Sequence, residues 1–92
     1  MARFTVRVEL HDASWEQYNE LHKKMSLQGF TDTIEGESKT VQMPPAEYNF
    51  EGSVTRQDVL DRAKNAASSV VKKYGVLVTE SAGRTWYGLE EA

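Results

Sequence analysis

From Phe4 to Leu10 the chain alternates. Phe4, Val6, Val8 and Leu10 are apolar, and Thr5, Arg7 and Glu9 lie between them. A period of two predicts a β-strand with one apolar face and one charged face. Such a strand suits an antiparallel or mixed sheet covered on one side only, which leaves the other side free to meet a partner. A helix follows. Ser14 and Gln17 have the spacing of a capping box, and Trp15, Tyr18, Leu21 and Met25 form one stripe with His22 at its border. Glu20 precedes Lys23 and Lys24 by three and four residues, pairing charges on the wet side. Gly29 supplies the left-handed position after the last turn, and Phe30 can fold back over that turn.

The middle of the chain is less regular. Thr31 to Glu35 reads as a short strand, Gly36 to Ser38 as a turn, and Lys39 to Met43 as a second arm with Val41 and Met43 in phase. Pro44-Pro45 interrupts any ladder, because neither residue has an N–H to donate. Tyr48 and Phe50 then alternate with Glu47, Asn49 and Glu51, a strand that ends at Gly52. Thr55 and Asp58 open a second helix. Its stripe is Val59, Leu60, Ala63, Ala66, Ala67, Val70, Val71 and Tyr74, with Gly75 as the stop. Val76 to Glu80 is a β-branched strand, and Thr85 to Leu89 adds a hairpin strand or reaches toward a partner subunit.

The resulting order, β-α-β-β-α-β with a C-terminal extra, predicts an α+β fold. It is the split βαβ or ferredoxin-like arrangement, an antiparallel sheet with both helices on one face. Ninety-two residues make one domain, residues 1–92, with a single modest core. The chain has no cysteine, which rules out a disulfide framework, a thiolate nucleophile and a zinc–thiolate site. With no membrane-length apolar run and no signal-peptide pattern at its start, it reads as soluble and cytoplasmic. A net charge of −3 counts against indiscriminate binding to nucleic acid, so any such contact must be local and selective.

No phosphate-binding glycine loop, helical metal motif or nucleophile elbow is present. The chemistry-bearing cluster is Arg7, Glu9, His11 and Asp12 at the end of the first strand. Glu9 and Asp12 are the candidate ligands of a magnesium ion, a hard cation that prefers oxygen. His11 could serve as general acid or base. The plainer reading of Asp12 is a residue that helps cap the following helix. Thr5, His22, Lys23 and Lys24 are the candidate RNA contacts, and Lys72-Lys73 is a second basic ridge. As solvated helix ends these lysines need no function. Trp86 and Tyr87, adjacent on an extended segment, point to opposite sides, so one packs at home and the other is left for solvent or a second subunit. A homodimer through this C-terminal segment is the expected assembly.

The first strand with Glu9 near its end, the helix carrying Leu21 and Met25 before Phe30, and Gln42-Met43 form one set of features. Together with the Tyr48/Phe50 alternation, Ser53 and the second amphipathic helix, they resemble the GhoS-type antitoxins of type V toxin–antitoxin systems; the likeness weakens after about Val78. That resemblance implies a ferredoxin-like fold similar to the CRISPR adaptation nucleases. It also implies an endoribonuclease that cuts single-stranded or loop regions of a toxin messenger RNA. In the CRISPR relatives an acid at the end of the first strand is the metal-binding candidate, and Glu9 takes that place here. A metal-free route, with His11 acting on the ribose 2′-hydroxyl and Arg7 stabilising phosphate charge, stands beside it. The alternative from another class is a non-catalytic dimer that binds RNA or protein.

Overall fold

The computed structural model describes residues 1–36 and 39–92. Its elements are β1 (Ala2–Leu10), α1 (Trp15–Leu27), β2 (Thr33–Glu35), β3 (Thr40–Gln42), β4 (Glu47–Gly52), α2 (Arg56–Ser68) and β5 (Tyr74–Glu80). β1 is central in a three-stranded antiparallel sheet of order β4-β1-β5, with Phe4 opposite Phe50 on one side and Val6 opposite Val78 on the other. β2 and β3 form a separate two-stranded ladder in which Ile34 faces Val41. The turn expected over Gly36–Ser38 rests in part on residues 37 and 38, outside the described residues.

The alternation in β1 sets the layers. Phe4, Val6, Val8 and Leu10 are buried, and they share a core with Leu21 and Met25 of α1 and with Val59, Ala63, Ala66 and Ala67 of α2. Both helices therefore lie against the same face of the sheet. The alanines of α2 let its backbone approach the strands closely. Phe30, Tyr48 and Phe50 close the core with edge-on and tilted ring contacts, Phe30 and Phe50 having centroids 5.1 Å apart.

Helix α1 begins and ends where its sequence says. The Ser14 hydroxyl accepts from the Gln17 N–H at 3.2 Å, and the Ser14 N–H donates to Gln17 Oε1 at 2.8 Å. At the other end the Gly29 N–H reaches the Ser26 carbonyl and the Phe30 N–H the Met25 carbonyl, the double bond of a Schellman motif. Gly29 has φ +94°, and a Cβ there would meet the Phe50 ring at 3.2 Å, so no other residue fits without strain. Phe30 is buried, as the fold-back required.

Three expectations need correction. Trp15 does not join the buried stripe; it is 75% exposed, because it borders an open recess beside Tyr18 and Pro44-Pro45 and not the core. α2 ends at Ser68 and does not run on to Tyr74. Ser68 and Ser69 turn their hydroxyls back to the carbonyls of Asn65 and Ala66, and the β-branched pair Val70-Val71 favours leaving the helix. Tyr74 and Gly75 open β5 instead, although Val70, Val71 and Tyr74 still pack on the core. Finally, residues 85–89 form no strand. Trp86 and Leu89 pack on Ile34, Val41 and Met43 as a second, smaller core, and Glu90 to Ala92 hydrogen-bond along β3.

α2 carries a full capping box: the Thr55 N–H donates to Asp58 Oδ2 and the Asp58 N–H to Thr55 Oγ1, both at 3.1 Å. The Thr55 backbone N–H, followed by the Thr55 hydroxyl, holds the Asp58 carboxyl below its ordinary value of 3.8. A depressed carboxyl stabilises the fold above its unfolded-state pKa and loses that contribution as pH falls through the folded value. Asp58→Ala should therefore lower the melting temperature near neutral pH, and the gap from the parent should narrow well below pH 3.8. Thermal melts at the two pH values check this; an unchanged gap would show that the charge plays no part.

Candidate functional site

The end of β1 is fixed by neighbours on two sides. The Tyr18 hydroxyl of α1 accepts from the Leu10 N–H at 3.1 Å and donates to the Leu10 carbonyl at 3.3 Å. The His11 N–H donates to the Lys73 carbonyl at 3.1 Å, which ties the strand end to the segment between α2 and β5. After these anchors the chain turns sharply. Asp12 has φ 55°, a left-handed conformation that aspartate tolerates better than most residues.

Arg7 and Glu9 project from the open face, two residues apart and so about 7 Å along the strand. Arg7 lies opposite Glu47 on β4 and the exposed Leu77 on β5. His11 Nε2 stands 3.9 Å from Glu9 Oε1, close enough to pair when the ring is protonated. Arg7, Glu9, His11 and Asp12 are all exposed. The helix cap does not use Asp12, since Ser14 and Gln17 complete it alone. Among the described residues no three His, Cys, Asp or Glu side chains gather to hold a metal ion. Glu9 and Asp12 would be the ligands of a magnesium ion that keeps most of its own waters.

The candidate RNA contacts are divided between two faces. Thr5 shares the open face with Arg7 and Glu9, but the Arg84 guanidinium reaches its hydroxyl at 3.5 Å and partly covers it. His22, Lys23 and Lys24 sit on α1, across the sheet from that face. Lys23 is exposed and Lys24 half-buried. The Nδ1 of His22 is hydrogen-bonded to the Tyr48 hydroxyl. Burial, and then the nearby Asp32 carboxylate, push the Tyr48 phenol well above its ordinary range, so it stays a neutral hydroxyl. His22 thus has a structural partner, and it lines a small recess of about 280 Å³ with Trp15, Tyr18 and Pro44-Pro45.

Beside the cluster lies something the residue pattern did not reveal. His11 also lines an open cleft of about 610 Å³ with Lys64, Lys72 and Lys73. Lys64 belongs to α2, and its place here depends on where that helix stops. Placing the end at Ser68 would have put Lys72-Lys73 in the connection beside the end of β1. Among the described residues no helix is long and apolar enough to cross a membrane. No family model, curated protein or solved structure matches the chain.

Proposed function

We propose that the chain is a ferredoxin-like endoribonuclease of the kind its resemblance to GhoS-type antitoxins implies, cutting single-stranded or loop RNA at the end of β1. The observation that carries this reading is the Glu9–His11 pair, 3.9 Å apart, on the same face as Arg7. In the metal-free route His11 takes the proton from a ribose 2′-hydroxyl. The 2′-oxygen attacks phosphorus, the bond to the 5′-oxygen breaks, and that oxygen takes a proton from water. Arg7 offsets the charge that builds on the phosphate, and Glu9 favours the imidazolium that forms. In the magnesium route Glu9 and Asp12 would hold the ion, which would supply charge stabilisation at the phosphate. For the fold, support comes from Thr31, whose N–H and C=O pair with Asn49 at 2.9 and 2.7 Å, beside β4 where a fourth strand belongs.

The test is incubation of purified protein with labelled toxin-type transcripts, with and without EDTA. Cleavage that survives EDTA and leaves 2′,3′-cyclic phosphate ends supports the metal-free route; cleavage abolished by EDTA supports magnesium. The exposure of all four cluster residues to solvent favours a second reading, a non-catalytic binding module. A protein that binds these transcripts and never cuts them would establish that alternative.

A homodimer through the C-terminal segment belongs to the same proposal. Trp86 is half-buried at home, while Tyr87 is 99% exposed and available to a second copy. Light scattering should report a dimer at high micromolar concentration and a monomer for Tyr87→Ser. A monomeric parent would remove the idea.

A further inference from the structure

The cleft beside the end of β1 is lined by basic side chains in a chain of negative net charge. Lys64, Lys72, Lys73 and His11 line it, with Leu60, Tyr74 and Val76 as its apolar wall, and no acidic side chain takes part. The chain as a whole has a net charge of −3, so three lysines without an acid between them are a local inversion. Among the described residues none of the three is in a salt bridge. Their placement is also fixed. Lys64 rides one turn beyond Leu60 on α2, and the 69–73 segment is held by the bond from the His11 N–H to the Lys73 carbonyl. Val70 and Val71 donate their N–H groups to the Ala67 carbonyl, securing the other end of that segment.

We propose that this cleft binds the sugar–phosphate backbone of single-stranded RNA and delivers it to His11. The proposal rests on the RNA reading above and extends it by naming where the strand lies. Ammonium groups neutralise phosphates without reading sequence, and Tyr74 offers a half-buried ring beside them on which a base can stack. The cleft volume falls within the ~300–1,000 Å³ in which protein sites hold small ligands. It is open to solvent and not enclosed, which suits a polymer that enters and leaves better than a single enclosed anion. The large exposed apolar side chains are Met1, Trp15, Leu27, Leu77 and Tyr87, and none of them lines it, so the cleft lacks the apolar anchor expected of a lipid surface. His11 belongs both to the cleft and to the pair with Glu9, so a backbone lying on the lysines would pass the candidate base.

Binding is measured by fluorescence anisotropy with the full chain and a labelled 2′-O-methyl oligonucleotide, which cannot be cut through its 2′-oxygen, over a series of salt concentrations. The triple variant Lys64→Gln, Lys72→Gln, Lys73→Gln should bind at least about tenfold more weakly at low salt. Its log–log salt slope should be shallower by about 2, from ~0.7 per lost phosphate contact on a single strand. Lys23→Gln with Lys24→Gln on α1 should have the smaller effect. All three lysines of the triple variant are exposed, and matching thermal melts establish that it folds. A triple variant with the parent's affinity and slope overturns the proposal. So does a parent that does not bind the oligonucleotide, or that binds vesicles of anionic lipid in its place. Cleavage of unmethylated RNA is scored separately. A parent that binds through the lysines without cutting leaves the cleft standing and removes the nuclease reading. A nuclease whose binding ignores the lysines does the reverse.

Discussion

Val8→Asp should leave the protein unfolded at room temperature, with the loss of its cooperative melt by circular dichroism. Val8 is fully buried on the core face of the central strand, opposite Val76. Removing its burial alone forfeits about 1.5–3 kcal/mol. The aspartate must in addition be buried as an unpaired carboxylate or be neutralised at a further cost of several kcal/mol. A domain of this size has only about 5–10 kcal/mol to lose. Thr5→Asp is the control, three residues earlier on the same strand. Thr5 faces the other way and lies near the Arg84 guanidinium, so a carboxylate there should change stability by less than about 1 kcal/mol. Equal losses in the two variants would mean that the strand's faces have been wrongly assigned.

The largest expected effect on activity belongs to His11. His11→Ala should slow RNA cleavage by about 10²–10⁴-fold, the usual contribution of a general acid or base. Its side chain is half exposed, and its backbone bond to Lys73 survives the change, so the melting curve should hardly move. Glu9→Gln should cost less than His11→Ala in the metal-free route, because Glu9 acts there only by favouring the charged ring. In the magnesium route Glu9→Gln or Asp12→Asn should abolish cleavage as completely as EDTA does. If all of these variants cleave as the parent does, the cluster is a turn and the reaction takes place elsewhere.

Most of the frame could be read from residue order because its signals are local. β1 declares its faces by strict alternation, and α1 carries both a capping box and a glycine that must be left-handed. The end of α2 was misread because Val70, Val71 and Tyr74 keep helical spacing after the helix has stopped. They are apolar because the core continues over them, and periodicity reports burial before it reports conformation. Trp15 misled in the opposite direction: it holds a stripe position, yet it borders only an open recess and stays 75% exposed. The Glu9–His11 pair was visible as sequence neighbours. The lysine cleft was not, because Lys64 meets Lys72, Lys73 and His11 only after a helix, a connection and a strand have been placed. The second core around Trp86 escaped for the same reason, since it joins residues some fifty positions apart.

The position of β1 sets the order of events as the chain folds. Ala2 pairs with Gly52, and Phe4 with Glu80, so β1 pairs only with strands that lie far beyond it in the chain. Each helix can begin to form from its own capping box, but β1 gains a partner only after a loop of some forty residues has closed, and its second only after one of about seventy. The entropy of closing such loops must be met before the ladder repays it. Until β4 and β5 pair with it, the strand of Phe4, Val6 and Val8 has both edges open to pairing with other chains.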